Sequence, residues 1–168
     1  MKRYKNVSAS NEVGETDLQE ILKNLKLSVH EGEYVFCCLP DLLAVDIDMK
    51  EVKSMIREQE GLSVVIAQGY ADALQLRYDF VASWITIDVH SSLSAVGLTA
   101  AISKALTQHS ISCNVVAGFY HDHLFVSRTD CDRAVAILYS LSWSRTSYHH
   151  HHHLQLPCNL LYWLMLHR

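Results

Sequence analysis

The chain has 168 residues, 49% of them apolar, and a formal net charge of −4, which suffices for one substantial core or for two small units sharing a sheet. Charges of both signs are scattered, with no basic stripe of the kind that backbone binding needs, so nucleic acid is excluded as a partner. The five cysteines, Cys37, Cys38, Cys113, Cys131 and Cys158, form no Cys-x-x-Cys pair, and an odd count without a framework argues for reduced thiols and a cytoplasmic home.

Residues 1–15 are polar and expected to be loose, and without an apolar run they give no secretory signal. Leu18, Ile21, Leu22 and Leu25 then fall at the i, i+3, i+4, i+7 spacing of one helical face, with Thr16 placed to cap it. His30-Glu31-Gly32 reads as a turn, and the short aromatic and β-branched run Glu33–Leu39 as a buried strand ended by Pro40-Asp41. Over Met49–Gln59 the pattern predicts a helix, with Val52, Met55 and Ile56 on one side, Lys50, Glu51, Lys53, Arg57 and Glu58 in solvent, and Gly61 as the stop. A strand over Leu62–Ala67 and a short helix around Tyr70–Leu76 complete the first half.

In the second half Phe80–Val89 alternates. Val81, Ser83, Ile85, Ile87 and Val89 share one face, expected to meet helices; Phe80, Ala82, Trp84, Thr86 and Asp88 share the other. The loop His90–Ala95 leads into a helix over Val96–His109 with an apolar stripe of Leu98, Ile102, Ala105 and Leu106. A strand over Ser112–Gly118, a turn, a strand over His123–Val126 and a last helix over Asp130–Leu141, capped by Thr129, follow. Because a crossover helix packs right-handed, this βαββα order predicts a ferredoxin-like α+β sandwich with helices on one face of the sheet. The other face carries Trp84 and Phe80, costly to leave wet at about 25 cal/mol per Å², so the two halves or two chains must cover it. Beyond that, residues 143–168 hold five consecutive histidines and an apolar run, Leu154–Leu166, too short for a bilayer span and broken by Pro157 and Asn159. This tail is expected to lie outside the fold, and no membrane partner is assigned.

The polar residues of the second half gather at its junctions. A loop that opens a helix has free amides and the positive end of the helix dipole, which suits a carboxylate. The amides around Ala95–Leu98 could take one, with a hydroxyl from Ser91 or Ser92 and close approach at Gly97; alternatively Ser92 or Ser94 caps the helix. Asp88 could receive an amino group or bond turn amides, and Asn114 is a polar interruption that needs partners if buried. His121-Asp122-His123 with His90 suggests a metal, but the trio straddles a turn and lacks a carboxylate or thiolate complement, so no metal is assigned. Ser91, Ser92 and His90 with nearby Cys113 lack a Gly-x-Ser-x-Gly elbow and an orienting third group, so no catalytic residue, cofactor or enzyme activity is assigned.

The runs V-H-S-S-L-S-A-V-G-L-T-A-A-I-S-K-A-L and I-S-C-N-V-V-A-G-F-Y-H-D-H-L-F-V, with E-G-E-Y-V-F-C and I-R-E-Q-E-G-L-S-V-V upstream, resemble the small tandem ACT-domain proteins. The resemblance covers Thr16–Leu141, and it is similar more distantly to the ACT repeats of cytosolic arginine sensors and of allosteric amino-acid-biosynthesis enzymes. It implies a pseudo-duplicated βαββαβ fold with an antiparallel-rich sheet, in units at 16–79 and 80–142. It also implies a regulatory module for a small molecule, usually an amino acid, held where ACT-like units meet. The site so implied comprises His90, Ser91, Ser92, Leu93, Val96 and Gly97, with Asn114 and the turn Gly118, Tyr120, His121, Asp122 and His123, beside Asp88. A homodimer or a regulated protein is the implied partner, and a ligand-free dimerisation module is the alternative. One departure stands out: an ACT unit closes with a strand after its second helix, and here Ser-Arg-Thr-Ser-Tyr follows instead. The first half is the expected source of that strand.

Overall fold

The computed structural model describes residues 18–41, 46–89 and 96–143. In chain order these form helix α1 (18–23), strands β1 (Leu27–Val29), β2 (Tyr34–Leu39), β3 (Ser54–Glu58) and β4 (Gly61–Ala67), and helix α2 (Gln68–Ala73). Strand β5 (Val81–Ile87), helix α3 (Leu98–Thr107), strands β6 (Cys113–Ala117) and β7 (Asp122–Ser127), a 3-10 turn (Arg128–Asp130) and helix α4 (Cys131–Trp143) follow.

All strand pairs are antiparallel in one sheet of order β3-β4-β2-β5-β7-β6, with β1 beside β5. The two halves meet in β5. Its first residues, Val81 and Ala82, pair with Val35 and Tyr34 of β2, whereas Ile85, Thr86 and Ile87 pair with Val29, Ser28 and Leu27 of β1. Its other edge carries β7 along its length. Thus β5 closes the first unit, β3-β4-β2-β5, and opens the second, β1-β5-β7-β6. The strand missing after α4 is supplied by β1, from the first half of the chain.

One predicted element is wrong. Met49–Gln59 is not a helix: Ser54–Glu58 is strand β3, paired over five residues with β4 through a turn at Gln59-Glu60. The spacing of Val52, Met55 and Ile56 imitates a helical face, but Met55 and Ile56 are exposed at the sheet's edge. Hairpin pairing to the buried β4 outweighs a local helical preference of a few tenths of a kcal/mol per residue. Thr129 is not the cap of the last helix either; it lies in the 3-10 turn, and its hydroxyl bonds that of Ser127 at 3.1 Å. Thr16 lies outside the described residues.

The alternation of β5 holds. Ile85 and Ile87 face the helices in a core with Leu22 and Leu25 from the α1 segment, Ile102 and Leu106 of α3, Leu124 and Val126 of β7, and Leu138 of α4. In the first unit Ala71 of α2 covers Val35, Cys37, Val64 and Ile66, and Val81 packs at the margin. The opposite face is closed by its own aromatic side chains: Tyr34 meets Trp84 edge-on at 5.2 Å, Phe36 meets Phe125 edge-on at 5.4 Å, and Trp84 stacks on Phe125 at 6.0 Å. Phe125 is left only 1% exposed. Residues of the first half therefore shelter the second half's aromatic face, as burial energetics demand. Among the described residues no helix is long and apolar enough to cross a membrane.

Candidate functional site

The end of β5 gathers several of the predicted site residues. Asp88 is fixed there because its N–H donates to the Lys26 carbonyl at 2.7 Å, extending the β1–β5 ladder. The Ser28 hydroxyl donates to its Oδ2 at 2.7 Å. On the neighbouring β7, His123 pairs with Thr86 and Asp122 with Ile87, which brings the turn between β6 and β7 level with Asp88. His121 in that turn places Nδ1 3.7 Å from Asp88 Oδ1, too long for a hydrogen bond, and this buried nitrogen has no hydrogen-bond partner. The Gly118 N–H closes the turn on the His121 carbonyl at 2.8 Å. A Cβ at Gly118 would stand 2.8 Å from that carbonyl oxygen and 3.1 Å from His123 Nε2, so glycine is required by close approach.

Gly97 opens α3 at the same end of the sheet. It is the N-cap, left-handed at φ 102°, ψ −18°, and supplies no side-chain cap to the first-turn amides. Those donors are the feature that suits an anion. Val96, Phe119 and Tyr120 are 82%, 78% and 73% exposed around this end. His90, Ser91, Ser92 and Leu93 lie outside the described residues, as does Ser94. Asp122 alternates away from His121 and His123. Asn114 is exposed and sits three residue pairs down the ladder, opposite Phe125, whose carbonyl its Nδ2 approaches at 3.4 Å. It shares the sheet face but not the end where Asp88 and the turn meet.

A polar network absent from the sequence reading runs down that face. His30, just beyond β1, stacks on Trp84 with centroids 3.5 Å apart and rings 9° from parallel. His30 Nε2 lies 2.7 Å from Thr86 Oγ1, which lies 3.0 Å from His123 Nδ1. The Trp84 indole N–H also donates to His123 Nδ1 at 3.0 Å. An indole can only donate, so His123 Nδ1 accepts and the neutral ring carries its proton on Nε2. Thr86 can then donate to His123 while accepting from His30. Burial first, then the neighbouring His30 and His121, hold His123 below the ordinary histidine value against the pull of Asp122 and Asp88. Burial also lowers His30, opposed by Asp88 and aided by Lys53. The sequence marks Trp84, Thr86 and Asp88 as sharing a face, but His30 and Ser28 needed the unseen strand β1.

The other chemistry weighed from sequence finds less support. Cys113 faces the helices, and burial pushes its thiol up to about 11, so it carries no thiolate at neutral pH. Among the described residues no group of three or more His, Cys, Asp or Glu side chains is arranged to hold a metal ion.

Two interlocked antiparallel units sharing β5, with helices on one face of the sheet, define a tandem ferredoxin-like fold. ACT-domain family models match residues 13–83 and 80–140, overlapping at the head of β5, and the chain belongs to the ACT-domain family. A Vibrio cholerae protein of unknown function, described as a possible transport protein, is 36% identical, with a TM-score of 0.69 over 77% of this chain and 98% of its own. An Agrobacterium tumefaciens protein shares the fold at 22% identity and a TM-score of 0.58, over 77% of this chain and 98% of its own. So does the ligand-free regulatory subunit of aspartate kinase from Thermus thermophilus, at 8% identity and a TM-score of 0.51, over 68% of this chain and 95% of its own. No curated protein matches the sequence. ACT domains are regulatory modules known to bind small molecules, often amino acids.

Proposed function

We propose that this protein is a cytoplasmic regulatory module that binds a free amino acid at the strand-to-helix junction of its second unit. The observation that carries this reading is the end of β5, where the carboxylate of Asp88 stands one loop before α3, whose N-cap Gly97 brings no side-chain cap of its own to the first-turn amides. The ligand's carboxylate takes the α3 amides and its amino group turns toward Asp88, with Gly118, His121 and His123 forming the wall. The units lie at 16–79 and 80–142. The regulatory fold of the aspartate kinase subunit is in keeping with this role, and the protein acts through another copy or a regulated partner rather than by catalysis. A thermal-shift screen of the common L-amino acids tests it: saturation at 100 times Kd adds about 2.7 kcal/mol. No rise in Tm with any of them at millimolar concentration refutes the reading.

Exposed Val96, Phe119 and Tyr120 favour a second reading, docking of another protein at the same end. Tyr120→Asp then lowers the mass seen by light scattering, and a monomeric parent protein contradicts the homodimer form of that reading.

A further inference from the structure

The carboxylate of Asp88 is held asymmetrically, and the asymmetry specifies what the site accepts. Ser28, from β1 and 60 residues away in sequence, donates its hydroxyl to Oδ2 at 2.7 Å. Oδ1 is turned toward His121 Nδ1, 3.7 Å off, and that nitrogen is buried without a hydrogen-bond partner. An imidazolium beside a carboxylate closes to about 2.7–2.9 Å. The wider gap leaves the carboxylate oxygen and the ring nitrogen side by side with no hydrogen bond between them, an arrangement that a donor touching both completes.

Building on the amino-acid reading above, we propose that Asp88 Oδ1 and His121 Nδ1 form a seat for a primary ammonium group, and that Ser28 is the positioning residue that sets it. A donor about 2.8 Å from each acceptor reaches both at once, and an ammonium has three N–H groups to do so. A guanidinium is a poorer match, because its fork takes both carboxylate oxygens and Ser28 already engages one. A divalent cation is poorer still, with one carboxylate and one imidazole in place of three or more protein ligands. The seat also makes the two halves inseparable for binding, since Ser28 belongs to the first half in sequence and serves the second unit in space.

Isothermal titration of the full chain tests the seat, using the common L-amino acids and, for the tightest of them, the matching α-hydroxy acid, which keeps the carboxylate and side chain but lacks the ammonium. The amino form binds at least about tenfold more tightly, as expected for a hydrogen bond to a charged group. Asp88→Asn and His121→Phe each bring the ratio of the two affinities toward one, Ser28→Ala lowers it, and Ser28→Thr restores it. A variant that merely loosens the fold weakens both compounds alike and leaves the ratio unchanged. Should Asp88→Asn not fold, His121→Leu, which also removes the acceptor, gives the same readout. Equal binding of amino and hydroxy acid, as when a proton on His121 fills the gap instead, overturns the seat and leaves the amino-acid reading standing; no binding of any amino acid overturns both.

Discussion

Replacing Leu25 by alanine tests whether the N-terminal segment is truly built into the second unit. Leu25 is 7% exposed and lies in the core with Ile87, Leu106 and Leu138. The change removes three carbons, about 2.4 kcal/mol at about 0.8 kcal/mol each. Incomplete collapse of the space left behind brings the total into the range of about 2.7–5 kcal/mol seen for buried leucines. Because Leu25 follows α1 rather than lying inside it, lost helix propensity adds nothing. Urea unfolding followed by far-UV circular dichroism reads the effect. A single transition should move to lower urea with its slope unchanged, because the shared β5 ties the units together. A loss below about 0.5 kcal/mol, the level of an ordinary surface substitution, would refute the placement of this segment.

Three further outcomes follow from the geometry. Since burial keeps His30 and His123 below the ordinary value of 6.5, the unfolded chain takes up their protons first. Their stabilising contribution is therefore complete above that value and is lost as the pH falls through it toward the folded-state values. The urea midpoint should drop between about pH 7 and about pH 5, and the double change His30→Asn, His123→Asn should flatten that slope; equal slopes in the two proteins contradict the network. Gly97→Ala puts a side chain at φ 102° with its Cβ 3.1 Å from Leu18 Cδ2, and should cost about 1–3 kcal/mol in the same assay. Phe125→Ala, at a position 1% exposed beneath Trp84 and Phe36, should cost about 3–5 kcal/mol, and a change near zero would show that the aromatic face is open.

The sequence made the second unit legible because its signals are local. The alternation of Phe80–Val89 and the stripe of Leu98, Ile102, Ala105 and Leu106 each follow from the period of one element. What stayed hidden depends on distant partners. Strand β1 has three residues, too few for a period, and exists because β5 offers it an edge. Met55 and Ile56 look helical until the pairing of Ser54–Glu58 with β4 is known. The same distinction divides the site: Asp88, Gly97 and the Gly118–His123 turn stand out as polar or small residues at junctions. Ser28 and His30 join them only through β1, which gives Asp88 its orientation and Trp84 its stacked neighbour.

The most direct test of the account is heteronuclear NMR of the full chain titrated with whichever L-amino acid gives the largest thermal shift. Binding at the second unit's junction should move the amides of Gly97 and Leu98, those of Gly118 and His121 in the facing turn, and the His121 ring resonances together, with one affinity. Perturbations confined to the first unit, around the small hollow lined by Leu39, Ile47, Leu74 and Leu76, with Gly97 and Gly118 unmoved, would contradict it.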